Sequence, residues 1–181
     1  LNFYLNKRYL NLLKKKFGLE ISSIKKMKIL RCLLLSSVCF EKEQKKYNRY
    51  IKFLEAEVKN YFNEEGLHFS KSPSTQLSIL GDLITIREAI ISGQFKVPEF
   101  LTLIIKKAAH SLRFFRNNKG TFAIFNGSKQ ESKFLIDKIL NLADGKARGR
   151  GPASLTVSGF EKLDSPGITV FVDACKYSIG S

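Results

Sequence analysis

The spacing of apolar residues changes once along this chain, at Asn117-Asn118-Lys119-Gly120, and that change restricts the fold more than any other feature of the sequence. Upstream, apolar side chains recur every three to four residues, which gathers them on one face of a helix. Downstream, the runs are short and alternate, as strands require. Asn-Asn-x-Gly is itself turn chemistry, because Asn and Gly tolerate left-handed backbone. The expected fold class is α+β in two parts, helical over 1–116 and β-rich over 117–181.

Within the first part, Phe3, Leu10, Leu13 and Phe17 mark a helix ended by Gly18, and Ile24, Met27, Leu30 and Leu34 mark a second that Ser22-Ser23 can cap. A third covers about Glu41 to Phe62, with Tyr47, Tyr50, Ile51, Leu54, Val58 and Tyr61 on one face. Pro73-Ser74 opens a fourth, with Leu77, Leu80, Leu83, Ile84 and Ile91 inward and Gly93 at its end. Val97-Pro98-Glu99 starts a fifth through Leu101, Ile104, Ile105, Ala108 and Leu112. Such a succession suggests hairpins of a larger helical array. Beyond the break, Thr121 to Phe125 reads as a strand and Gln130 to Leu142 as a further helical piece. Leu155 to Leu163 and Ile168 to Asp173 read as strands joined by the Pro166-Gly167 hairpin turn.

The 44% apolar content is enough to bury a core, and a formal charge of +15 argues for an anionic partner without choosing among nucleic acid, acidic polysaccharide and membrane surface. Much of that charge is N-terminal: residues 1–52 carry 14 basic and 3 acidic groups. The lysines at 14–16, 25, 26 and 28 could bind nucleic acid, yet no nucleic-acid motif accompanies them, so no specific nucleic-acid partner is expected. Cys32, Cys39 and Cys175 form neither a disulfide framework nor a metal or redox motif, and read as ordinary buried thiols. No metal site and no cofactor is expected. The longest apolar run, Ile29 to Phe40, is interrupted by Arg31 and is shorter than the ~20 residues a membrane-spanning helix needs. A chain that opens on Leu1 without a Met and ends on Gly180-Ser181 just after a strand-like run reads as a fragment of something longer, one expected to be inactive and prone to aggregate alone.

Four segments in order, GLHFSKSP at 66–73, LRFFRNNKGTFAIFNGS at 112–128, SGFEKL at 158–163 and TVFVDAC at 169–175, carry a resemblance. Together they look like the heparinase II/III-like family of polysaccharide lyases, in particular a bacterial branch with a Gly-Gly-His-x-Ser-Arg-Asn-Pro loop, an Arg-Phe-Phe-Arg helix end and a Ser-Gly-Tyr-x-x-Leu strand. The likeness covers about residues 54–175. It implies that 1–116 is the end of an (α/α) toroid and 117–181 the start of an antiparallel β-sandwich. It implies a periplasmic or cell-envelope location, and a parent that cleaves a uronic-acid-containing anionic polysaccharide by β-elimination. In that reaction a positive or hydrogen-bonding group neutralises the C5 carboxylate, a base removes the C5 proton and an acid protonates the leaving O4. The alternative is a non-catalytic carbohydrate-binding or cell-envelope protein on the same fold, because Ser74-Thr75-Gln76 stands where many of these lyases carry a Tyr.

His68, in a loop between two helices, is the candidate catalytic residue: it could serve as base or carboxylate partner, or could instead cap a helix or bond the loop backbone. Arg113 and Arg116 are three apart on one helix and could hold a carboxylate or sulfate bidentately; their other reading is a solvated pair or an interdomain salt bridge. Asn126, before Gly127, could present its amide to the cleft or simply form a turn, and Lys71 of the 66–73 segment joins these as a substrate-binding candidate. Lys146, Arg148 and Arg150, interleaved with Gly149 and Gly151, resemble a loop suited to phosphate or sulfate, or a solvated loop. His110 reads as a packing residue.

Overall fold

The computed structural model describes residues 15, 21–41 and 44–174; the expected first helix around Phe3 to Phe17, its end at Gly18, and Cys175 lie outside them. Among the described residues, helices α1 (Ser23–Ser36), α2 (Gln44–Tyr61), α3 (Pro73–Ser92), α4 (Glu99–Phe114) and α5 (Lys133–Asp144) precede strands β1 (Ser154–Leu155), β2 (Phe160–Ser165) and β3 (Ile168–Asp173). A π-helical turn, Ser37–Glu41, follows α1. The fold is mixed α+β, and none of the helices is long and apolar enough to cross a membrane.

Helix α3 is central because it is apolar nearly all round, and a helix of that kind has to be covered on every side. Leu77, Ile79, Leu80, Leu83, Ile84, Ile86 and Ile90 are all buried, and α1, α4 and α5 pack around them. Gln76 and Asp82 are the buried polar residues of α3, and Asp82 is the charged one. Arg31 on α1 reaches it at 2.5 Å, so an ion pair crosses the α1–α3 contact. Burial pushes the Asp82 carboxyl above its ordinary value, against the opposing pull of Arg31 and Lys28.

The sheet is antiparallel in the order β1-β2-β3, with Leu155 opposite Phe160 and Phe160 opposite Asp173. Phe160 is fully buried and Phe171 packs against the core, so one face of the β2–β3 hairpin lies on the helices. The other face exposes Leu163, Val170 and Val172.

Several expectations need correction. Thr121 to Phe125 is not a strand: it makes a single bridge, Arg116 to Phe122, and Ala123 N–H donates to Phe115 O, so the segment folds back onto the end of α4. The run Leu155 to Leu163 is two strands, because left-handed Gly159 turns the chain between them. Ile91 is exposed, and it is Ile90 beside it that is buried in the last turn of α3. His110 is exposed too; it is Ser111 beside it that turns inward, donating to the carbonyls of Glu65 and Lys107. Cys39 is exposed and Cys32 half-buried, so neither is a buried thiol. Ser22 occupies the N-cap position of α1 without a side-chain hydrogen bond.

Gly66, in the loop after α2, has φ 76° and lies against the backbone of α4, where an added Cβ would meet Lys107 Cβ at 2.5 Å. Gly66→Ala therefore combines a disfavoured backbone angle with overpacking, and should destabilise the protein by about 1–3 kcal/mol. Gly81 is a helical glycine whose Cβ would find Ile139 Cδ1 at an ordinary 3.4 Å, so Gly81→Ala should leave stability unchanged or slightly raised. Denaturant midpoints of the two variants check both expectations.

Candidate functional site

The chain leaving α2 doubles back within a few residues because Asn63 organises the turn: its side-chain oxygen accepts from Glu65 N and Leu67 N, and its carbonyl accepts from Gly66 N. The returning segment then pairs with the end of α2, His68 bridging to Phe62 and Phe69 N–H donating to Tyr61 O. From the first turn of α3, the buried Gln76 fixes the other side. Its Oε1 accepts from His68 N at 2.8 Å, and its Nε2 donates to Gly66 O and Ala108 O.

His68 is thus held in place and buried, only 1% exposed. Its Nδ1 accepts from Ser70 N–H at 3.1 Å and lies 2.8 Å from Ser70 Oγ. With Nδ1 occupied as an acceptor, the hydrogen-bond network assigns the ring proton to Nε2, which is buried with no partner. The ring sits among Phe69 at 4.4 Å and Tyr61 and Phe62 at 5.8 Å. Burial lowers its pKa to about 4, so it is neutral near pH 7 and Nε2–H is a hydrogen-bond donor. The Tyr61 hydroxyl is pushed well above the usual phenol value by burial and, further, by Glu57. Tyr61 therefore remains a proton-bearing group beside the imidazole.

The 66–73 segment, the turn at 126–129 and the turn at 156–159 meet in space. The Glu65 carboxylate accepts from Val157 N, Ser158 N and Ser158 Oγ, while Asn63 Nδ2 donates to Ser158 Oγ at 2.7 Å and Lys71 Nζ to Ser158 O at 3.1 Å. Lys71 also stands over the Phe160 ring. Asn126, in left-handed backbone at φ 47°, donates to Lys71 O, and Ser72 and Ser128 share a hydroxyl contact at 2.9 Å. Asn126-Gly127 is a turn, closed by Ser128 N–H on Phe125 O. Lys71 and Asn126 therefore lie in one neighbourhood with His68, joined by backbone.

Arg113 and Arg116 belong to a second neighbourhood. Arg113, 4% exposed, holds Asp144 bidentately at 2.9 and 2.6 Å and donates to Lys146 O. Burial alone would raise the Asp144 pKa, but the Arg113 hydrogen bond and charge and the Lys146 N–H reverse this and lower it. Arg116 pairs with Asp137 and donates to Ala147 O. Both guanidiniums are engaged in holding α5 and the loop after it against α4, the salt-bridge reading of the pair. Sequence reasoning gave no site role to Asn63, Glu65, Gln76 or Ser158, although Gln76 and Ser158 lie in stretches it singled out. A buried Gln one turn into an apolar helix was the available sign; nothing in the sequence pairs Glu65 with Ser158.

The His68 environment makes stability depend on pH. Its native pKa lies below the ordinary 6.5, so as pH falls from about 6.5 toward 4 the unfolded chain takes up a proton that the native state refuses. Stability should drop by about 3 kcal/mol over that window and the loss should remain below it. Asp82, with a raised pKa, acts in the opposite sense. Comparing denaturant midpoints at pH 7, 5.5 and 4 for wild type and His68→Asn, where the Asp82 effect is common to both, isolates the imidazole: the variant should show the shallower acid loss.

No family model matches the chain, and no solved structure matches it. A curated protein of Caulobacter vibrioides, FtsZ-localized protein C, is similar: 29% identical over 119 residues, which is 64% of this chain and 20% of that protein. The chain thus spans about a fifth of the length of the curated relative it matches.

Proposed function

We propose that this chain belongs to a lyase that cleaves an anionic, uronate-containing polysaccharide by β-elimination, with α1–α4 as the last helices of an (α/α) toroid and β1–β3 as the first strands of a β-sandwich. One observation carries the reading. Three of the segments on which the family resemblance rests lie far apart in the sequence and meet at the loop that carries the neutral His68 imidazole, where Ser158 and Asn126 bond Lys71 and Ser128 meets Ser72. The apolar outer face formed by Leu163, Val170 and Val172 supports the sandwich, whose two sheets cover each other with such faces. The location that goes with this reading is the periplasm or cell envelope.

In the reaction His68 Nε2–H donates to the C5 carboxylate, which makes the C5 proton more acidic. A base takes that proton, a C4–C5 double bond forms, and the C4–O4 bond breaks as O4 is protonated. Tyr61, kept protonated by its surroundings, is the nearest candidate for the acid. The exposed Phe69 ring packs on the imidazole at 4.4 Å, and access of a sugar to Nε2 requires it to move aside. Lys71, in the same neighbourhood, is the cation that faces the anionic substrate.

A second reading, a carbohydrate-binding or cell-envelope protein without chemistry, is favoured by the depth of His68 and by Ser74-Thr75 in place of a phenol. The name of the similar Caulobacter protein, which speaks of localisation to FtsZ and not of a sugar, sits more easily with this alternative.

The assay is the ultraviolet absorbance of the unsaturated uronate product when full-length protein meets glycosaminoglycans, alginate and pectate. Activity is expected on at least one of them, with His68→Ala lowering kcat about 100-fold or more. Saturable binding without product supports the second reading. Unaltered turnover by His68→Ala removes that residue from the mechanism, and binding to duplex DNA that is equally tight and falls steeply with salt overturns both readings.

A further inference from the structure

A cleft of about 430 Å³ lies between the end of α4, the turn at 117–120, the start of α5, the loop at 146–151 and β2, and six cations line it: Arg113, Arg116, Lys133, Arg148, Arg150 and Lys162. It shares no lining residue with the surroundings of His68. Three carboxylates match three of these cations, Asp144 with Arg113, Asp137 with Arg116 and Asp164 with Lys162. Lys133, Arg148 and Arg150 have no side-chain hydrogen-bond or ion-pair partner among the described residues, and the charge of Arg150 is one of several that lower the pKa of Asp164. All three are exposed at the cleft.

We propose that this cleft binds a tetrahedral oxyanion, a sulfate or phosphate group, through Lys133, Arg148 and Arg150. Two further observations point to an anion. Lys133 is the first residue of α5, where the aligned peptide dipoles place partial positive charge, and no acidic side chain occupies the first turn to offset it. A cation there is unfavourable until an anion joins it. At the base of the cleft, Arg113 Nε is buried without a partner. It lies beside Gly149, where an added Cβ would come within 3.2 Å of it, so the missing side chain keeps the floor open.

Guanidiniums favour tetrahedral oxyanions because their forked N–H groups match two oxygens at once, and the alternation Arg148-Gly149-Arg150 lets two forks approach one group. The paired Arg113 and Arg116 supply a fixed positive wall, held by Asp144 and Asp137 so that the loop carrying the other two is anchored at Lys146 and Ala147. The site stands independently of the lyase reading, since it requires no turnover and no part of the His68 neighbourhood.

The test is calorimetric titration of the full-length protein at fixed ionic strength with inorganic sulfate, inorganic phosphate and, as a planar control, nitrate. Sulfate or phosphate should bind saturably and nitrate should not. Arg148→Ala/Arg150→Ala should weaken binding about tenfold or more, and Lys133→Ala should weaken it separately. Lys106→Ala/Lys138→Ala removes the same charge from exposed positions outside the cleft and should leave affinity unchanged. A thermal melt of each variant keeps loss of fold distinct from loss of binding. Two further arms, a sulfated uronate oligosaccharide and its desulfated counterpart, separate a polymer-borne ester from a free ion: tighter binding of the sulfated form than of inorganic sulfate assigns the site to the ester. The proposal is overturned if no oxyanion saturates, if nitrate binds as well, or if the Lys106/Lys138 pair costs as much affinity as the Arg148/Arg150 pair.

Discussion

The turn between β1 and β2 is tied to the helical part through one carboxylate. Glu65 sits in the short loop after α2, yet it satisfies Val157 N, Ser158 N and Ser158 Oγ, more than ninety positions along the chain by the sequence numbering. Those three groups lie in a turn between strands, where no ladder could pair them, and a backbone N–H left without a partner in such a place is costly. A charged acceptor answers all of them at once. Asn63 and Lys71 complete the arrangement, so every polar atom of Ser158 meets the 62–72 loop.

That loop is itself fixed by what it lies on. Gly66 touches the backbone of α4 on one side, and Gly151 does the same near Arg113 and Phe114, where an added Cβ would come within 2.5 Å of Arg113 C. Two glycines from distant parts of the chain thus let two loops approach one helix at backbone contact. Gln76 closes the gap between the first of them and α3. Helix α4 is consequently the element that both candidate sites share: Gly66 of the His68 loop lies on it, and Arg113 in its final turn, with Arg116 just beyond its end, lines the cationic cleft.

Much of the fold was legible because helical periodicity is a local signal. The starts and stops at Pro73, Gly93 and Pro98 match the structure closely, each for its own backbone reason, while the helical piece expected over Gln130 to Leu142 runs from Lys133 to Asp144. The β part was less legible. Thr121 to Phe125 has strand composition, yet a strand needs a partner, and what it meets is the short stretch just after α4, Phe115 and Arg116. In the same way β3 was readable as a strand but not as to which face it buries: its β-branched residues 168, 170 and 172 look outward while Thr169 and Phe171 look in. Among the site residues, the spacing of Arg113 and Arg116 suggested a single helix, but α4 ends at Phe114 and Arg116 lies beyond it; the acids opposite them, Asp144 and Asp137, come from another helix, and sequence spacing carries no information about that. His68 stood out as a residue type; its burial and its tautomer depend on Gln76 and Ser70, whose contacts are tertiary.

The change of periodicity at residue 117 invites a cut between two domains, and the aromatic packing across it argues for something else. Phe114 and Phe115, consecutive at the end of α4, face opposite sides of one cluster: Phe114 meets Phe160 and Phe171, and Phe115 meets Phe125 and Phe160, with several of these rings edge to face. Helix and hairpin therefore share a single apolar interior instead of touching across a surface. Amide hydrogens of α4 and of β2 should then exchange with solvent through the same opening event, and a protease nick at Lys119 would leave two pieces that stay together until both unravel.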